Sequence, residues 1–282
     1  MFKNAGLVAI AVLIAAPLLV PVLAQGPKSS NSTQKKKSGT KEKSGTTEKK
    51  ADFPTKKGQN EEDSPSSAGM LEFDSIFGAT RTQLSLIEEN VSDAKKFSPK
   101  VNTRNARVLA VLAQILSEYT EDSPRQKMSP TVRDGALKIA KAKTAGEAKK
   151  ELEALKKAFM SPPMPKADVS WETLIDIPTA MEEIKIQQEK YGKYISTGKP
   201  DGDVHAQLVV LWSLGVALQK IQPKLKDEAE RKAWDEYSKR FTNDFAFIHS
   251  ASLRSSNPEA LKQVWNSTDS CTACHDRFRK KK

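Results

Sequence analysis

From about residue 68 to the C terminus, apolar residues recur in steps of three and four, and no stretch alternates like a half-buried strand. No Asn-Gly hairpin turn interrupts the pattern. A chain with that period throughout buries its apolar atoms by packing helix on helix, so an all-α fold is expected. The start signals agree. Ser129-Pro130 and Asn257-Pro258 each set a capping residue before a proline at the first helical position, where a missing N–H costs nothing. Thr144 followed by Glu147 has the form of a capping box. The pattern predicts helices near 68–96, 103–119, 130–142, 145–159, 172–194, 204–221, 226–250 and 258–280.

A proline-rich break, "SPPMPKAD" at 161–168, divides these helices into two sets of four. The sets are alike in places. "NARVLAVLAQIL" at 105–116 resembles "HAQLVVLWSLGV" at 205–216, and "GEAKKELEALKKAF" at 146–159 can be laid beside "PEALKQVWNSTDSC" at 258–271. That register sets Phe159 against Cys271, so the first set lacks the cysteines that the second carries. Two tandem four-helix-bundle-like units are expected, at 68–162 and 168–282.

Ahead of them the composition changes twice. Lys3 and an apolar run from Ala5 to Val22, ending in Val22-Leu23-Ala24, have the form of a signal peptide cut after Ala24. The alternative is an uncleaved anchor, since the run approaches spanning length; Pro17, Pro21 and the small residues at its end favour cleavage and no lasting membrane span. Residues 25–67 are rich in Lys, Ser, Gly and Thr and hold little to bury, so a disordered, solvated linker is expected. The formal charge of +11 therefore says little about the folded part. Export, and the lack of aromatics among the lysines, disfavour nucleic acid as a partner.

The chemistry is concentrated at the end, in "SCTACHDRFRKKK" at 270–282, which holds both cysteines of the chain. Leu261, Val264, Thr268, Cys271, His275 and Phe278 follow one another in steps of 3, 4, 3, 4 and 3, the seam of one bundled helix. Cys274 shares that stripe, so both thiols and the imidazole are expected to face inward. Two sulfurs one turn apart suit the two vinyl groups of haem, and a histidine directly after the second can take the iron. Competing readings fit less well. A redox Cys-x-x-Cys pair sits at a helix start in an α/β setting. A zinc site needs four ligands, and only His205 and His249 remain. A disulfide within one helical turn would be strained and would close almost no loop.

At these residues the chain resembles the cytochrome c′ family, including its low-spin cytochrome c556 branch. The family pattern of CxxCH followed by an aromatic and a basic residue matches Cys271, Cys274, His275, Phe278 and Arg279. The resemblance covers roughly 170–282. It implies one covalent haem c per chain, thioether bonds at Cys271 and Cys274, and His275 as the proximal iron ligand. It implies that Arg279 flanks the proximal side, although a solvated tail residue reads equally well. The family places the distal position on the first helix of the bundle, at a methionine followed by an apolar residue at i+3. Here that implies Met181, with Ile184 after it, as the second metal ligand; the alternatives are a core-filling methionine and an open distal site. Homodimerisation through the outer faces of the first helices is common in the family.

The expected function is electron transfer by an exported, periplasmic c-type cytochrome, with an unknown redox partner protein. An open sixth position would instead make the chain a gas-binding or sensing haem protein, for NO or CO. A third reading is an interaction module in which haem is mainly structural. Nothing resembles a nucleophile–base pair, a phosphate loop or a second metal site, so an enzyme is not indicated. Trp234, Tyr237, Phe241, Phe245 and Ile248 form an apolar stripe that reads as core, as do Trp212 and Trp265, while His205 should be exposed.

Overall fold

A computed structural model describes residues 71–120, 123–158, 168–221, 223–266 and 270–278. The expected signal peptide and linker, the proline-rich residues 161–167, Phe159, and Arg279 with the lysines after it lie outside the described residues. Among the described residues every regular element is an α-helix, so the chain is all-α. In order they are α1 (Phe73–Ser92), α2 (Pro99–Glu118), α3 (Pro124–Ala140), α4 (Ala145–Ala158), α5 (Trp171–Leu174), α6 (Ile177–Thr197), α7 (Val204–Lys220), α8 (Glu228–Arg254), α9 (Pro258–Asn266) and α10 (Ser270–Phe278). No helix among them is long and apolar enough to cross a membrane.

The helix starts follow side-chain caps, and one differs from expectation. α3 begins at Pro124 rather than Pro130, because Ser123 accepts the Gln126 N–H at 3.2 Å and sets an earlier start. Pro130 is carried inside the helix, which continues past it and buries Val132, Ala136 and Ile139. Asn257 and Pro258 do open α9, with the Glu259 N–H donating to Asn257 Oδ1 at 3.0 Å. At α4 the Thr144 hydroxyl accepts from the Glu147 N–H, and Glu147 Oε2 accepts from Lys143 N one residue outside the usual box. Asp227 and Glu230 repeat that arrangement at α8. The helix expected at 172–194 is divided into α5 and α6 by Asp176, which caps α6 through Thr179 N with Pro178 in its first turn. Burial works against the Asp176 charge, but these N–H donors and Arg107 outweigh it and hold its pKa below the usual carboxylate value.

α1 packs on α2 and α4, α2 on α3, and α3 on α4. In the second half α6 packs on α7 and α9, α7 on α8, and α8 on both α9 and α10. The two halves meet where α1 and α2 lie against α7, and one hydrophobic core runs from Leu71 and Ile76 through to Leu261 and Val264. α2 and α7 are the most enclosed helices. Val209 to Leu214 are buried without a break, more than a full turn, so α7 has no outward face there. α7 and α8 approach closely at Gly215, where a Cβ would meet Thr242 Oγ1 at 2.6 Å and Phe241 Cδ1 at 2.8 Å. At the entry to α1, the Tyr119 hydroxyl from the end of α2 donates to the Leu71 carbonyl. Burial pushes the Tyr119 pKa up to about 12, so it remains a donor at any ordinary pH.

Candidate functional site

The CxxCH segment lies on α10, which packs on α8. Cys274 and Phe278 are half-buried and rest against the core. Phe278 meets Trp234 edge-on at 5.6 Å between ring centroids and Tyr237 at 6.1 Å. Trp234 is itself anchored, its indole N–H donating to the Leu218 carbonyl at 2.9 Å, which satisfies its one polar atom inside the core. The side chain of Cys271 lies outside the described residues. His275 is exposed, which corrects the expectation that the imidazole faces inward. It stands on the flank of the stripe that sets Cys274 and Phe278 against the core.

α9 fixes the level of this site in the fold. Trp265 meets Tyr191 of α6 at 5.1 Å with the rings tilted by 44°, and lies edge-on to Phe245 of α8 at 6.0 Å. The Tyr194 hydroxyl donates to the Ser256 carbonyl, just before α9, at 3.2 Å, so α6 and α9 run antiparallel. Met181 stands ten residues before Tyr191, roughly 15 Å back along α6. Phe278 likewise meets the N-terminal part of α8, whereas Trp265 meets its C-terminal half. Met181 and the CxxCH segment therefore lie at the same end of the second half. Met181 is half-buried against the core, with Ile184 buried one turn on.

Beside Met181, α6 buries a polar line that the sequence did not announce. Glu183 is 2% exposed and approaches Arg104 of α2, Oε2 to Nε, at 2.6 Å. Gln187 donates to Glu183 Oε1, and the Tyr191 hydroxyl is buried with no partner among the described residues. Burial, and secondarily Tyr194, push the Tyr191 pKa up, so the hydroxyl stays protonated. Across α7 and α8, His205 is exposed as expected, whereas His249 is buried inside α8, which runs on to Arg254. Their rings meet at 6.0 Å. The Ser252 hydroxyl donates to the His249 carbonyl at 2.7 Å and lies within hydrogen-bond distance, 3.1 Å, of His205 Nδ1.

No group of three or more His, Cys, Asp or Glu side chains that could hold a metal ion occurs among the described residues. An apolar cavity of about 260 Å³ lies between α1, α2 and α3, lined in part by Phe77, Leu109 and Val132, in the half without cysteines. Covalent attachment requires no such polyligand cage, and the fit rests on Cys274. Cys274 is half-buried and packs against the core, and the neighbouring imidazole is exposed. These residues fit a haem bound through sulfur. No family model, no curated protein and no solved structure matches the chain.

Proposed function

We propose that the chain is an exported c-type cytochrome of two tandem four-helix bundles, the second holding one covalent haem, and that it transfers electrons. The observation that carries this reading is that the CxxCH helix, packed on the N-terminal part of α8, and Met181 lie toward the same end of the second half, with Cys274 set against the core. Cys271 and Cys274 would hold the group by thioethers, His275 would bind its iron, and Arg279 would stand one turn beyond His275. The bound iron would supply a one-electron ferric–ferrous couple. Trp234, Tyr237 and Phe278 would keep water from one side of it, which favours the less charged state of the site. Met181 would be the sixth ligand, and a thioether there raises the potential and suits electron transfer over gas capture.

Two measurements on the purified exported protein test the reading. Mass spectrometry after denaturation should show the mature chain carrying the mass of one haem. Visible spectra, oxidised, reduced and under CO, should show six-coordinate low-spin iron that CO does not readily take. A chain with both cysteines intact and no added mass refutes the assignment. A five-coordinate spectrum with avid CO binding would leave the haem and make the protein a gas binder.

A further inference from the structure

We infer that the first four helices serve as a built-in partner subunit, joined to the second half as the two halves of a twofold dimer are joined. This inference stands whether or not haem is bound. The order of packing is the same in each half: α1 to α4 close on themselves as α6, α7, α8 and α9 do. The likeness between 105–116 and 205–216 falls on α2 and α7, the second long helix of each half.

The packing between halves is crossed. α1 lies on α7, which joins a first helix to a second. Its counterpart, α2 to α6, is looser: the helix backbones do not pack closely, and long side chains join them, Arg104 to Glu183 at 2.6 Å, Arg104 to Glu182 at 3.5 Å and Lys100 to Glu182 at 2.9 Å. Between these, second helix meets second helix, α2 on α7. A twofold interface has that form, since whatever i makes with j, j makes with i. Arg107 closes the edge, donating to the carbonyls of Thr173 and Leu174 at 3.3 and 3.2 Å, the free end of α5.

Burial agrees with the crossing. α2 and α7 are each enclosed nearly all round, because one side faces the helix's own half and the other faces the opposite half. A homodimer using α6 and α7 would need the surface that α1 and α2 already cover. The full chain is therefore a monomer, and the half without cysteines exists to cover that surface.

The test keeps the protein whole until it has folded. Light scattering behind size exclusion should give a monomer for the full chain at about 100 μM, above the Kd of a stable dimer. A protease site placed within residues 161–167 and cut after purification should yield halves that co-elute one to one. In the cut protein Arg104→Glu, which sets a third carboxylate beside Glu182 and Glu183, should weaken that association roughly 30-fold or more, and adding Glu183→Arg should restore part of it. A dimeric full chain, separation of the cut halves in the wild type, or indifference to Arg104→Glu each overturns the inference.

Discussion

Gly215 offers a substitution whose sign can be worked out beforehand. In a helix interior, exchanging Gly for Ala stabilises by about 1 kcal/mol, because the backbone loses less freedom on folding. At Gly215 that gain competes with a collision. The added methyl would stand 2.6 Å from Thr242 Oγ1, 2.8 Å from Phe241 Cδ1 and 3.1 Å from the α-carbon of Thr242. The hydroxyl cannot simply swing aside, since it donates to the Ser238 carbonyl at 2.8 Å and accepts from Gln219. The α-carbon belongs to the α8 backbone and has no rotamer to change, so α7 and α8 must part. Forcing a methyl into a packed core costs about 1–3 kcal/mol, and a backbone obstacle puts this site in the upper part of that range. Gly215→Ala should therefore destabilise by roughly 1–2 kcal/mol net. Gly192 in α6 is the control, for nothing lies within 4 Å of its Cβ position, and Gly192→Ala should stabilise by about 0.5–1 kcal/mol. Urea denaturation followed by far-ultraviolet circular dichroism should move the two midpoints in opposite directions at unchanged slope. If Gly215→Ala were as stable as the parent, the close approach of α7 and α8 would be wrong.

Three further outcomes are expected. Burial first, and then the His205 ring, push the His249 pKa from 6.5 down to about 4, so the fold prefers the neutral ring. Its contribution is complete above pH 6.5 and is lost as pH falls through 4, roughly 3 kcal/mol in all; the stability of His249→Gln should depend less on pH across that window, and a curve parallel to the wild type would contradict this. Tyr191→Phe removes a buried hydroxyl that lacks a partner among the described residues, and should be neutral or stabilising by about 1 kcal/mol in denaturant titration; clear destabilisation would mean that the hydroxyl is satisfied. In the haem-loaded protein Met181→Ala should turn a low-spin spectrum high-spin, whereas a wild type already five-coordinate would remove Met181 from the iron.

The helical class was legible because a 3.6-residue period needs only local information, and caps such as Asn257 and Thr144 are written into neighbouring residues. Ser123-Pro124 and Ser129-Pro130 carry the same signal six residues apart, and sequence alone chose the later one. The earlier one prevails, for the Ser123 hydroxyl accepts the Gln126 N–H, whereas the Ser129 hydroxyl donates back to the Arg125 carbonyl inside the helix. At the candidate site the core stripe on α8 was readable, with Trp234, Phe241, Phe245 and Ile248 buried and Tyr237 half-buried. The exposure of His275 was not, because the angular margin of a stripe is about as wide as the step between adjacent residues. Arg104 and Glu183 could not have been paired from sequence, since charges in separate helices carry no period that links them.

The bond from Tyr119 to the Leu71 carbonyl has a mechanical consequence. If the residues before α1 act as a tether, any pull on them reaches the fold at Leu71. A helix held only by its own turns would unravel from that end, one residue at a time. Here the load passes through the phenol to the end of α2, the helix enclosed between α1, α3 and α7. Such a force is shared across the middle of the molecule, and the α8–α10 end that carries the cysteines lies off its line.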